Sequence, residues 1–127
     1  MTVAITPFSI VGTPFNGVNN DQSLVDIWFN LVPTSNYPAN GDTANLNSLG
    51  DLIKSQYVPL AVSIWGKGNT GFLYNFLIGT TQANGKFLLQ TTGVAGAQPP
   101  FVDAGAIAYP AGVLADTIIG RATFPRL

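Results

Sequence analysis

Ser23-Leu24-Val25-Asp26-Ile27-Trp28-Phe29-Asn30-Leu31-Val32 is the stretch on which the fold turns. Val25, Ile27, Phe29 and Leu31 recur at every second position, the period of a β-strand and not of a helix. Asp26 and Asn30 interrupt the other face, but Leu24, Trp28 and Val32 make it apolar as well. Both faces of this strand are therefore expected to be at least partly covered.

The same period recurs downstream. Tyr57 to Trp65 places Val58, Leu60, Val62 and Ile64 on one side, and Pro59, which cannot donate to a ladder, puts the start of that strand at an edge or bulge. Phe72, Tyr74, Phe76 and Ile78 alternate with Leu73, Asn75 and Leu77. The Gly-rich connection Gly66 to Gly71 makes these two strands read as a hairpin. Asn84-Gly85 is expected to supply positive φ angles for a tight reversal, with Lys86 to Thr91 as the return strand. Gly93 to Gly105 has no hydrophobic period and reads as a long loop. Ala115 to Phe124 closes the pattern, with Ile118 and Phe124 on one side, Ile119 on the other, and Gly120 at a bulge or close approach. Asn45 to Lys54 is the one candidate helix. Fourteen glycines and nine prolines punctuate the runs, so the fold class is all-β, a two-sheet antiparallel β-sandwich over residues 21 to 127.

Residues 1 to 20 carry no charge and include Pro7, Pro14, Gly12 and Gly17. They read either as an extended N-terminal arm or as a first strand. An arm of this kind attaches to a neighbour through Val3, Ile5, Phe8, Ile10 and Phe15, which are the interface candidates.

Composition narrows the chemistry. The chain has no histidine, cysteine or glutamate, and only 9% of its residues are charged, against about 25% in ordinary soluble domains. Thiolate nucleophiles, imidazole acid–base chemistry and the usual zinc and iron–sulfur ligands are absent. No catalytic, cofactor or metal residues are assigned. A net charge of −1, with no two of the five basic residues close in sequence, argues against nucleic acid as a partner. No run of apolar residues is long enough for a membrane helix. A surface so poor in charge suits a protein packed against neighbours, hence a symmetric homo-trimer or homo-dimer.

Several constellations are weighed against plainer roles. Asp21 and Asp26, beside Asn19 and Asn20, are the best local carboxylate cluster, yet their spacing does not match a calcium loop. Asp103 and Asp116 flank a loop and would need the fold to bring them together. Lys67 sits in a Gly-rich stretch without the order of a phosphate loop. Trp28, Trp65, Tyr57 and Tyr74 form either a carbohydrate platform or core and interface aromatics. Two corners share Tyr-Pro-Ala followed by Asp-Thr: Tyr37-Pro38-Ala39 with Asp42-Thr43, and Tyr109-Pro110-Ala111 with Asp116-Thr117. These read as matched turns, each Asp clamping a strand entry.

Those corners, together with Ile78-Gly79-Thr80-Thr81-Gln82-Ala83-Asn84-Gly85-Lys86, resemble the turns, hairpin and final corner of tailed-bacteriophage capsid decoration or cementing proteins. The resemblance covers about residues 23 to 127. It implies a jelly-roll-like sandwich on the outer surface of a capsid, with the major capsid protein as partner, no enzymatic activity, and localisation in the virion after synthesis in the host cytoplasm. A phage tail or fibre subunit or receptor-binding module is the alternative. A carbohydrate-binding or hydrolytic domain using Asp21, Asp26 or Asp116 is the rival from another class.

Overall fold

A computed structural model describes residues 2–11, 24–92 and 101–125. The strands are β1 (Thr2–Val11), β2 (Leu24–Val32), β3 (Asn36–Tyr37), β4 (Asp42–Ala44), β5 (Ala61–Gly66), β6 (Leu73–Leu77), β7 (Gly85–Thr92), β8 (Phe101–Asp103), β9 (Ile107–Ala108) and β10 (Ile118–Pro125). Two short helices, α1 (Asn47–Ile53) and α2 (Ala111–Ala115), lie among them. The protein is all-β, as its period of two requires.

Eight of these strands form one curled mixed sheet in the order β5-β10-β2-β1-β4-β7-β6, with β8 also on β7, and β3 pairs with β9 separately. β1 is the joint. It pairs antiparallel with β2 from Ala4 to Val11 and parallel with β4 at Thr2 and Val3. The two ends of the sheet, β5 and β6, curl round to lie against each other without a shared ladder. Inside the curl lies a single core, to which β2 gives Val25, Ile27, Phe29 and Leu31, β10 gives Ile118, Ala122 and Phe124, and β6 and β7 give Tyr74, Phe76, Phe87 and Leu89.

Several local expectations need correction. β5 and β6 are not a hairpin: β5 pairs with β10, and β6 with β7. The Asp116 carboxylate explains why. It enters between the two strands, accepting Gly68 N–H at 2.7 Å and the Tyr74 hydroxyl at 2.8 Å. A Cβ at Gly66 would collide with that carboxylate and the Tyr74 ring, so the glycine makes room for the wedge. Neither Asn84 nor Gly85 has a positive φ. The turn is instead a longer connection closed by the Asn84 side chain, which accepts Thr81 N–H at 2.9 Å and donates to the Thr80 hydroxyl at 2.8 Å. Gly85 is needed because the Phe76 ring lies 2.8 Å from where its Cβ would stand.

The strand expected from Tyr57 begins at Ala61, behind a buried Pro59. Within the stretch expected to be a loop, Phe101–Asp103 pairs with β7, while 93–100 fall outside the described residues. α1 keeps Gly50 inside it because the Gln82 amide occupies the space a side chain would fill. That amide donates to the carbonyls of Ser55 at 3.0 Å and Tyr57 at 2.7 Å, tying down the chain after the helix. Lys54 ends α1 in the left-handed region, at φ 56°.

Gly120 marks a close approach. The Phe29 ring lies across it, and any Cβ there would overlap the ring. Gly120→Ala is therefore expected to destabilise the fold by about 2 kcal/mol through overpacking. Gly112, in α2 with open space around its Cβ position, should accept Ala with a gain of a few tenths of a kcal/mol to ~1 kcal/mol. Urea denaturation of the two variants checks the opposite signs.

Candidate interaction face

Each of four carboxylates is tied to a hydroxyl or a guanidinium from distant sequence. The Tyr37 hydroxyl donates to Asp103 Oδ1 at 2.5 Å and accepts Leu89 N–H at 3.1 Å. Tyr109 donates to Asp42 Oδ2 at 2.7 Å, and Tyr74 to Asp116 Oδ2. The two Tyr-Pro-Ala corners do meet. β3 and β9 pair antiparallel, and the Tyr37 and Tyr109 rings pack edge to face with centroids 5.7 Å apart. Their aspartates act as acceptors for tyrosine hydroxyls rather than as clamps on their own turns.

Asp42 is fully buried, and its Oδ1 has no hydrogen-bond partner among the described residues. Burial pushes the ionisation of Tyr37, Tyr74 and Tyr109 upward, Tyr74 to about 12, with their carboxylate partners adding to the rise. Burial also works to raise Asp103. The N–H of Asn40, the Tyr37 hydroxyl and the N–H of Gly105 outweigh it and hold that carboxyl below its usual range.

The fourth carboxylate, Asp26, lies on the outer face of the sheet. Along β2, Asp26, Trp28 and Asn30 alternate with the buried core residues and so face outward. Arg121 and Thr123 do the same on β10, and Ser63 and Trp65 on β5. Register brings Arg121 beside both Trp28 and Ser63. The Trp28 and Trp65 rings meet edge to face at 5.6 Å, and the Arg121 guanidinium sits 5.8 Å from the centre of the Trp28 ring. Arg121 also binds Asp26 through Nη2 at 2.6 Å and Nε at 3.1 Å, while the Thr123 hydroxyl takes the other Asp26 oxygen at 2.5 Å. Burial raises Asp26, but these bonds and the adjacent cation hold it lower than an ordinary carboxyl. This ion pair neutralises itself, and Trp65 remains 38% exposed. Leu24 and Val32 are exposed at the two ends of β2.

The residues singled out in the sequence are distributed as follows. Val3 is 4% exposed and belongs to this chain's own core, which Ile5 and Ile10 pack against. Phe8 is 53% exposed. Phe15 and Asp21 lie outside the described residues. Residues 2–11 thus form a strand of this domain, not a detached arm, and of the interface candidates placed, Phe8 alone is exposed to that degree. Trp28 and Trp65 come together, whereas Tyr74 is buried behind β6 and Tyr57 is exposed in the segment before β5. Asp103 and Asp116 are bound to different tyrosines and do not form a pair. Arg121, at the centre of the outer cluster, was not singled out in the sequence. Its pairing with Asp26, 95 residues away, leaves no local signal. Among the described residues no helix is long and apolar enough to cross a membrane, and no three acidic side chains converge as metal ligands.

No family model, curated protein or solved structure matches this chain.

Tyr109→Phe leaves the buried Asp42 carboxylate without its hydroxyl and should cost about 3 kcal/mol. Tyr37→Phe also takes the acceptor from the Leu89 N–H, but should cost less, about 2 kcal/mol, because Asp103 keeps the N–H groups of Asn40 and Gly105. Guanidinium denaturation gives the order. At high pH the sign is equally definite. Below the ordinary phenol value near 10 both folded and unfolded chains keep the tyrosine protons, and the full contribution is present. Above it the unfolded chain loses protons that the folded chain retains, so stability falls as pH rises toward the folded values, about 12 for Tyr74. The tyrosinate absorbance of Tyr37, Tyr74 and Tyr109 should rise together with unfolding.

Proposed function

We propose that this chain is a non-enzymatic structural protein of a virus particle, docking on the outer surface of a phage head and strengthening contacts between major capsid subunits. The observation that carries this reading is the outer face of β5, β10, β2 and β1. A Trp–Arg–Trp cluster lies at its middle, the Arg121–Asp26 ion pair cancels its own charge, and large apolar side chains stand exposed at both ends of β2. Aromatic residues and arginine are the side chains most enriched at the centres of protein interfaces, where lone charges are depleted. The turn motifs that resemble decoration proteins support the same reading, as does the use of the carboxylates of Asp26, Asp42, Asp103 and Asp116 as structural acceptors. In this reading β1 is the strand that crosses between the two sheets of a jelly-roll-like sandwich. Many copies, each burying roughly 800 Å² per partner, would together resist pressure from inside the shell.

The exposed Trp65 ring also suits the apolar face of a sugar, so carbohydrate binding is the second reading. Trp65→Ala removes the ring from both roles at an exposed position. It should weaken co-sedimentation with heads lacking the protein by about tenfold or more, with a thermal midpoint close to the parent's. Unchanged head binding would remove this face from the interface. Binding to a glycan array without binding to heads would favour the second reading.

A further inference from the structure

The two long sides of β1 differ. On one side β2 pairs with it from Ala4 to Val11. On the other, β4 reaches only Thr2 and Val3, because β4 ends at Ala44 and the chain soon turns into α1. Beyond Val3 that edge has no ladder partner among the described residues. The strands at the ends of the sheet, β5 and β6, shield each other; among the described residues no strand guards this stretch of β1 in the same way.

Against it lies an open groove of about 430 Å³ lined by Pro7, Phe8, Ser9, Ile10 and Leu52. The register breaks between Pro7 and Ser9. Phe8 occupies that bulge and is turned outward, 53% exposed, and Leu52 on α1 is 51% exposed. An unpaired strand edge calls for an extended partner that supplies backbone donors and acceptors.

We propose that this edge and groove form the contact between two copies of the chain, β1 of one pairing antiparallel with β1 of the other across a two-fold axis. Three features select a second copy. No residue from Thr2 to Val11 is charged, so the strand meets itself without like-charge repulsion. The projecting Phe8 and the apolar groove adjoin on one surface, the knob and hole that an isologous contact requires. Asp51 and Lys54, both exposed and on either side of Leu52, have opposite signs, so a two-fold axis can set one against the other's counterpart. The contact stands whether or not the protein binds a phage head.

Analytical ultracentrifugation of the full chain from about 1 to about 100 µM tests it. A dimer that dissociates on dilution is expected. Phe8→Lys and Leu52→Lys, both at exposed positions, should each weaken it about tenfold or more while circular dichroism and thermal midpoint stay at the parent's values. Hydrogen exchange of the parent, which needs no variant, should show β1 amides gaining protection as concentration rises. A parent that stays monomeric at about 100 µM overturns the proposal, whether its β1 amides exchange fast or are protected at every concentration because the chain covers its own edge. An oligomer that both substitutions leave unchanged overturns it too. Head binding by monomeric Phe8→Lys would leave the docking role intact while the dimer is lost only in the variant, so the two ideas fail separately.

Discussion

Three carboxylates held by phenols tie distant parts of the chain together around the core. The chain has only five cationic side chains for six aspartates, and of these cations only Arg121 forms a salt bridge among the described residues. Three of the remaining aspartates instead accept from tyrosine hydroxyls that reach across the molecule. A neutral donor avoids taking a second charge out of water, which is the larger cost of a buried ion pair. The aromatic ring adds packing that a lysine stem would not. Phe87 stands 5.8 Å from Tyr74 and 6.3 Å from Tyr109, so two of the three tyrosines pack on one core phenylalanine.

These bonds also impose shape on the backbone. Asp116 occupies space next to Gly66 and Gly68 that no other residue type would leave open. The corner that looks in sequence like a turn between two strands is a socket for a side chain delivered from far along the chain.

What could be read locally was read well. The alternation in β2 places its four core residues correctly, and in β10 it places Ile118 and Phe124 but not Ala122, because burial on one face is a property of the strand itself. Gly120 likewise announces a close approach. The missed features are those that another part of the chain imposes. β5 and β6 have a hairpin's sequence but not its ladder, because the entry of Asp116 between them is invisible from residues 57 to 78. β8 has no period over its three residues and exists through its register with β7. Val3 looks like part of an arm until β4 pairs beside it. Of the outer cluster, the aromatic residues were visible as candidates, but the arginine that joins them to Asp26 acquires its role only in register.

The position of β10 has a consequence for how the protein is made. It lies between β2 and β5, and it sets Phe124 opposite Val25 and Thr123 opposite Ala61. Until it arrives, the edge of β2 away from β1 has no hydrogen-bonded neighbour, and β5 has no ladder among the described residues. An emerging chain must therefore hold the apolar strands β2 and β5 without this neighbour until β10 has followed them, and then close contacts of very high sequence separation, a slow step for any topology. The protein is most exposed to self-association in the interval before β10 is released.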